Sequence, residues 1–210
     1  KANITAVGKY LPKNILSNVD LEKMVDTNDE WIQSRTGIIE RRIVDKGEAS
    51  VEMSINAIRK ILDSRNLDPV EIDAIIVGTV TPDMLFPSCA ALIQDRIGAT
   101  NAWGYDLSAA CSGFIFALQS GSALIESGQC EKVLIVGVDT MSSILDYEDR
   151  NTCILFGDGA GAVLLEPSEK YGVIDGAMRV DGSGGKFLKM PGGGSLHRTT
   201  HETVDKKMHY

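Results

Sequence analysis

The 210-residue sequence lacks the hallmarks of several protein classes. Its four cysteines, Cys89, Cys111, Cys130 and Cys153, form no Cys-x-x-Cys pair, which argues against a zinc finger and against a disulfide-rich secreted domain. We therefore expect reduced thiols in a cytoplasmic protein. No basic region followed by an apolar stretch opens the chain, so no secretory signal is predicted. Low-complexity segments and internal repeats, which would indicate a solenoid or a linker, are also absent.

Basic residues are in the minority as well. The sequence has 21 lysines and arginines against 29 aspartates and glutamates, a formal net charge of −8. A protein of this charge repels polyanions on average, which disfavours non-specific binding to nucleic acid or to anionic membranes. An anionic substrate would need a local cluster of lysines or arginines. The hydrophobic fraction of 43% is typical of a globular protein with one large domain or two small ones.

One uncharged stretch, residues 107–125, has the length of a membrane span. It contains four serines, Gln119 and two glycines, and its pattern breaks at Ser112. We therefore interpret it as a strand followed by a buried helix, and we expect no membrane span.

Strand and helix patterns alternate through the middle of the chain. The continuous apolar runs at 74–80 and 132–138 are typical of strands that are covered on both faces of a parallel sheet. Between them the periodicity predicts a helix over 88–97, a strand over 102–107 and a helix over 112–127. This βαβαβ order implies right-handed crossovers and a mostly parallel sheet with helices on both faces.

Weaker patterns flank this unit. Thr27 and Glu30 have the spacing of a capping box for a helix that ends at Gly37. The apolar runs 152–156 and 160–166, joined through a Gly-Asp-Gly turn, predict a β-hairpin, and 172–180 predicts a further strand. The turn also matches a G-x-G-x-x-A nucleotide fingerprint, but no helix pattern follows it, so a structural turn is favoured.

Cys111 is the leading candidate for a reactive residue. It follows a predicted strand and directly precedes a predicted helix, where ligands collect in open α/β sheets. The free N–H groups and partial positive charge of the helix N-terminus favour thiolate over thiol and could bind an oxyanion. Alternatively, Cys111 is a small buried residue in a tight turn. Cys89 shares some of this geometry, whereas Cys130 and Cys153 are interpreted as structural residues of a turn and a strand.

Two further groups of residues have chemical potential. The three histidines, His197, His201 and His209, lie in the polar tail 195–210, where weak helix propensity favours a solvated tail over a metal site. Trp31 with Arg35 could be ordinary surface packing, or an aromatic and a cation that together hold an adenine and its phosphates.

Three segments together resemble a known family. VDTNDEWIQSRTGI, DLSAACSGF and FGDGAGAVLLEP, in this order and at these separations, resemble β-ketoacyl-acyl-carrier-protein synthase III, the condensing enzyme that starts bacterial fatty-acid synthesis. The similarity runs from Ile4 to about Pro191. It implies an α/β, thiolase-like fold of five layers, αβαβα, built from two similar halves, normally as a homodimer. Residues 1–168 would form the first half, and residues 169–210 would begin the second.

The resemblance also implies a role for Cys111. This residue looks like the nucleophile that takes an acyl group from acyl-CoA, usually acetyl-CoA, and holds it as a thioester. Malonyl-acyl-carrier-protein would then decarboxylate and attack the thioester. The family needs no permanently bound cofactor and no metal, because acyl-CoA enters as a substrate.

Five other residues match the family's substrate-binding positions. Trp31 and Arg150 match residues that stack on either side of the CoA adenine. Thr27 and Arg35 match positions at the nucleotide end of the same channel. Phe86 matches the residue that one subunit offers to the acyl pocket of the other.

The sequence departs from the family pattern at its end. The family completes its site with a histidine, an asparagine and an oxyanion glycine from the second half, and none of the three tail histidines lies in that motif. We therefore expect the chain to be the amino-terminal portion of an enzyme whose remaining carboxy-terminal half lies elsewhere. Two alternatives stay open: another thiolase-fold starter-unit synthase of polyketide or quinolone type, and a non-catalytic half-chain that acts as a scaffold.

Overall fold

The computed structural model describes all residues from Lys1 to Tyr210. The strands are β1 (Ala2–Tyr10), β2 (Asn14–Ser17), β3 (Glu40–Ile43), β4 (Ala74–Gly78), β5 (Trp103–Leu107), β6 (Val133–Thr140) and β7 (Asp158–Pro167). The helices are α1 (Asn18–Leu21), α2 (Asp29–Thr36), α3 (Ser50–Arg65), α4 (Cys89–Ile97), α5 (Gly113–Glu126) and α6 (His201–Asp205). No helix combines the length and the apolar character that crossing a membrane requires.

Five strands form the main sheet, in the order β1-β7-β6-β4-β5. β4 is parallel to both β5 and β6, which confirms the predicted βαβαβ unit. β7, however, is antiparallel to both β6 and β1, so the sheet is mixed rather than mostly parallel. β2 and β3 form a separate two-stranded sheet.

The two faces of the main sheet are covered by different helices. Side chains of β4 alternate between them, because successive residues of a strand point to opposite faces. Ile75 and Val77 pack in a cluster with residues of α3 and α4. Ala74 and Ile76 pack in a second cluster with Ala117 of α5. Burial on both faces explains why this strand reads as an unbroken apolar run.

Two predicted elements are wrong. Residues 151–155 form turns, so the expected hairpin does not exist, and β7 pairs with β1 and β6 instead. The apolar character of this segment has another cause: Cys153 and Ile154 are buried in a cluster with Leu21 and Ile32. Residues 172–180 contain no strand. Val173 N–H donates a hydrogen bond to the Ala2 carbonyl at 2.8 Å, but the residues that follow it pair with no strand.

The chain divides into two compact units. The first comprises Lys1–Ile15, Arg41–Thr140 and Gly157–Gly176 and contains the main sheet with α3, α4 and α5. The second comprises Leu16–Glu40, Met141–Phe156 and Ala177–Tyr210 and contains α1, α2 and α6. The expected division at residue 168 into two similar halves stays a prediction.

Candidate active site

Cys111 lies on a sharp turn between β5 and α5. It belongs to a short 3-10 turn, Ala110–Ser112, and its side chain is exposed. Ala110 has a φ of +46°, a left-handed conformation that costs an L-residue other than glycine about 1–2 kcal/mol. Strain of this kind collects at functional sites, where the surrounding structure holds it in place. The alternative that Cys111 is a buried turn residue is therefore wrong.

The start of α5 rests directly on the end of β4. A Cβ atom added to Gly78 would lie 2.7 Å from the carbonyl carbon of Gly113. One added to Gly137 in β6 would lie 3.2 Å from the side chain of Phe114. Glycines at these two positions allow the helix to approach the sheet closely. This contact sets the position of the turn that carries Cys111.

Two aspartates at strand ends organise the loops around this turn. The Asp106 carboxylate accepts hydrogen bonds from Cys89 N at 2.7 Å and Ala90 N at 2.9 Å, at the start of α4. The Asp139 carboxylate accepts hydrogen bonds from three donors in the loop that follows β4: Val80 N at 2.8 Å and the hydroxyls of Thr79 and Thr81. We did not identify either residue from the sequence, although an acidic residue at the end of a predicted strand was the available signal.

The other three cysteines lie in environments that disfavour a thiolate. Cys89 is buried, and desolvation, reinforced by the nearby Asp106 and Asp83 carboxylates, raises its pKa to about 12. Desolvation also raises the pKa of Cys130. Cys153 is fully buried among apolar residues. Cys89 thus lies at a helix start, as predicted, but it does not share the exposure of Cys111.

A cleft of about 500 Å³ lies at the carboxyl ends of β4 and β5, and Cys111 is not among its lining residues. Its lining includes Ser108, three residues before the thiol, and Leu85 from the loop after β4. Phe86, in the same loop, has 83% of its surface exposed, as Leu85 has 85%. Phe86 thus belongs to an exposed apolar loop.

In the second unit, Trp31 and Arg150 contact each other. The Arg150 guanidinium lies 4.6 Å from the centroid of the Trp31 ring, and its Nη1 is 3.9 Å from Asp26 Oδ2. Trp31 N bonds to Asn28 Oδ1 at 2.8 Å, which makes Asn28 the cap of α2; the predicted cap at Thr27 is wrong. The tryptophan and the arginine are therefore a cation–π pair, and an adenine between them would displace Arg150 by the thickness of one ring.

Thr27 and Arg35 are the two other residues that the family resemblance assigns to this site. The Thr27 hydroxyl oxygen is buried and has no hydrogen-bond partner within the protein. An unsatisfied buried hydroxyl costs about 1–3 kcal/mol. Arg35 is exposed in the last turn of α2, four residues after Trp31 and hence on the same helix face. These four residues form what we call the nucleotide clamp: Thr27, Trp31, Arg35 and Arg150.

The tail histidines form no common site. His197 and His201 are exposed, and His201 is the first residue of α6. His209 Nε2 lies 3.0 Å from the hydroxyl of Thr203. No group of three or more His, Cys, Asp and Glu side chains has an arrangement that could hold a metal ion.

Comparison with known proteins identifies close relatives. Residues 105–182 match the family described as 3-oxoacyl-[acyl-carrier-protein (ACP)] synthase III. The whole chain is 58% identical over 214 residues to "Beta-ketoacyl-[acyl-carrier-protein] synthase III" of Chlorobaculum tepidum, and it spans 65% of that protein's length. The corresponding protein of Koribacter versatilis is 56% identical over 213 residues, with all of this chain and 64% of the relative covered.

Solved structures show the same relationship. A crystal structure of β-ketoacyl-[acyl carrier protein] synthase III from Thermus thermophilus is 44% identical, with a TM-score of 0.85 over 89% of this chain and 58% of that one. These similarities confirm the expected α/β, thiolase-like fold.

Proposed function

Because the chain belongs to the β-ketoacyl-acyl-carrier-protein synthase III family, we propose that it carries the acyl-accepting part of an enzyme that initiates fatty-acid synthesis. The observation that carries this proposal is the exposure of Cys111 on a strained turn at the start of α5. The chain spans about two thirds of the length of its curated relatives, so the whole enzyme's activity, substrates and partners form part of the proposal.

The first step is acyl transfer to Cys111. The thiolate attacks the thioester carbonyl of acyl-CoA, a new carbon–sulfur bond forms, and the bond to the CoA sulfur breaks. The CoA thiolate leaves and takes up a proton. The negative charge on the carbonyl oxygen is stabilised by backbone N–H groups at the start of α5, to which Cys111 contributes its own.

The second step is condensation with malonyl-acyl-carrier-protein. The malonyl group loses carbon dioxide, and the resulting enolate attacks the acyl-Cys111 thioester, which releases the thiol. We propose that a histidine, an asparagine and an oxyanion glycine outside these 210 residues supply this step. No permanently bound cofactor is required, and the enzyme works in the cytoplasm.

The nucleotide clamp is the proposed binding site for the adenine end of acyl-CoA. Stacking of a base on an aromatic ring contributes about 1–3 kcal/mol to binding and does not depend on hydrogen bonds to the base. Arg150 and Arg35 supply local positive charge, which answers the problem that an acidic protein poses for an anionic substrate. Thr27 belongs to the proposed site on the family resemblance alone, because its hydroxyl oxygen is buried.

A homodimer is the proposed assembly. β5 is the last strand of the main sheet and has a neighbour on one side alone. An exposed strand edge is a template for pairing with another chain. Trp103 on this strand is 50% exposed, and the Phe86 loop offers further apolar surface.

Mass-tagged acetyl-CoA provides the test. We expect one acetyl group per chain, located on Cys111 by peptide mass spectrometry, and its loss in Cys111→Ala. Cys89→Ala is the matched control and should acylate like the wild type. Labelling that persists in Cys111→Ala would refute the assignment.

A second candidate function is the priming of a polyketide pathway. The "Priming beta-Ketosynthase from the R1128 Polyketide Biosynthetic Pathway" is 39% identical to this chain, with a TM-score of 0.84 over 87% of it and 55% of that chain. Competition between acetyl-CoA and longer acyl-CoAs for Cys111 would separate the two candidates. Preference for acetyl-CoA favours fatty-acid initiation, and preference for a longer starter favours polyketide priming.

A further inference from the structure

Lys207 joins the tail to the loop that leads to Arg150. Its Nζ lies 2.8 Å from Asp146 Oδ2 and 2.6 Å from Glu148 Oε2. The backbone of Lys207 has a φ of +51°, a sparsely populated conformation for a residue with a side chain. One cation thus holds two carboxylates that lie four and two residues before Arg150.

The loop itself is built from side-chain turns. Asp146 Oδ1 accepts a hydrogen bond from Glu148 N at 2.9 Å, and Asp149 accepts from Asn151 N at 3.0 Å and from the Thr152 hydroxyl at 2.8 Å. The hydrogen bond from Lys207 is the main reason that the pKa of Asp146 is lowered, and the same contacts raise the pKa of Lys207. Lys207 therefore stabilises the ionised form of the carboxylate that shapes the turn before Arg150.

Charge gives Lys207 a second effect. Residues 146–149 contain three acidic side chains, and they directly precede one wall of the nucleotide clamp. The phosphates of CoA are anionic, so uncompensated carboxylates here would repel them. Lys207 neutralises part of this negative charge. The neighbouring Lys206 forms its ion pair within the tail instead, with Glu202 at 2.6 Å.

We propose that Lys207 is a positioning residue for nucleotide binding. Its contact with residues 146–149, which we call the strap, keeps this loop in the conformation from which Arg150 can cover an adenine stacked on Trp31, and it keeps the acidic side chains from opposing CoA. This inference rests on the proposed function of the clamp as the acyl-CoA site. It assigns to the tail a part in substrate affinity, separate from the chemistry at Cys111.

The test is CoA binding by isothermal titration calorimetry, together with the rate of Cys111 acylation at varied acetyl-CoA concentration. We expect Lys207→Met to weaken CoA binding by about threefold to tenfold at low salt, since surface ion pairs have modest effects. The half-saturating acetyl-CoA concentration should rise by a similar factor, and the maximal acylation rate should change by less than twofold. The difference from the wild type should shrink in 1 M salt, where charges are screened within about 3 Å. Lys207→Arg should restore binding, and Lys206→Met is the matched control with wild-type affinity.

The possible outcomes separate this inference from the proposed function. If the wild type binds CoA and Lys207→Met binds it equally well, the strap is refuted and the clamp stands. If Lys206→Met weakens binding as much as Lys207→Met, a general charge effect replaces the specific contact and the inference is also refuted. If the wild type does not bind CoA, both the proposed function and this inference fail.

Discussion

The backbone contact between Gly78 and Gly113 predicts a specific effect of one added methyl group. In Gly78→Ala the new Cβ would lie 2.7 Å from the Gly113 carbonyl carbon and 3.0 Å from Phe114 N, and both of these are backbone atoms. A flexible side chain could rotate away, but a helix backbone can only shift as a unit. We therefore expect the first turn of α5 to move away from β4 and to carry the Cys111 turn with it.

The magnitude follows from known costs of overpacking. Forcing extra atoms into a packed core costs about 1–3 kcal/mol, and for a chain of this size each kcal/mol lowers Tm by about 2–4 °C. Gly78→Ala should therefore lower Tm by about 2–12 °C. Because catalytic geometry tolerates little displacement, acylation of Cys111 should fall by about tenfold or more.

A strand glycine with free space provides the control. Gly161 in β7 has no atom within 4 Å of the position its Cβ would occupy, so Gly161→Ala should keep the wild-type Tm within a few degrees and the wild-type acylation rate. Thermal unfolding and timed labelling with acetyl-CoA measure both quantities. If Gly78→Ala matches Gly161→Ala in both assays, the idea that β4 positions the Cys111 turn is refuted.

Three further predictions follow from individual side chains. Trp31→Ala should raise the Kd for CoA about tenfold through loss of stacking, whereas Trp103→Phe should leave it unchanged; equal effects in titration calorimetry would argue against the clamp. The pKa of Cys89 is raised from 9.0 to about 12, so the folded state keeps a proton that the unfolded chain loses, and stability should fall as pH rises from about 9 towards 12. The free energy of unfolding, measured by urea denaturation, should fall by up to about 1.4 kcal/mol per pH unit in this range, and it should fall less steeply in Cys89→Ala. The same pH dependence in both proteins would contradict this prediction. Ala110→Gly removes the left-handed strain, so Tm should not fall, while acylation of Cys111 slows because the turn is less constrained; a clear loss of stability would show that Ala110 is unstrained.

Much of the first unit was predictable because its elements are strongly patterned. The unbroken apolar run of β4 and the helical period of α5 each depend on local burial, which neighbouring residues in the chain reveal. In the second unit, the predicted end of α2 at Gly37 is confirmed, since a left-handed cap strongly favours glycine.

The errors occurred where apolar residues serve another purpose. Cys153 and Ile154 are as buried as strand residues but pack in turns against α1 and α2. β7 also breaks the parallel pattern, because its partner β1 comes from the opposite end of the chain. Pairings over such sequence separations leave no local trace in the pattern.

The sequence by itself indicated the family resemblance, the βαβαβ unit and Cys111 as the candidate nucleophile, because these depend on residue type, spacing and order along the chain. The tertiary structure alone decided which thiol is accessible, since Cys89 and Cys111 both stand near helix starts and differ in solvation. It also decided that Lys207 meets Asp146 and Glu148. Solvation and ion pairing between distant residues are properties of packing in three dimensions, which no local pattern encodes.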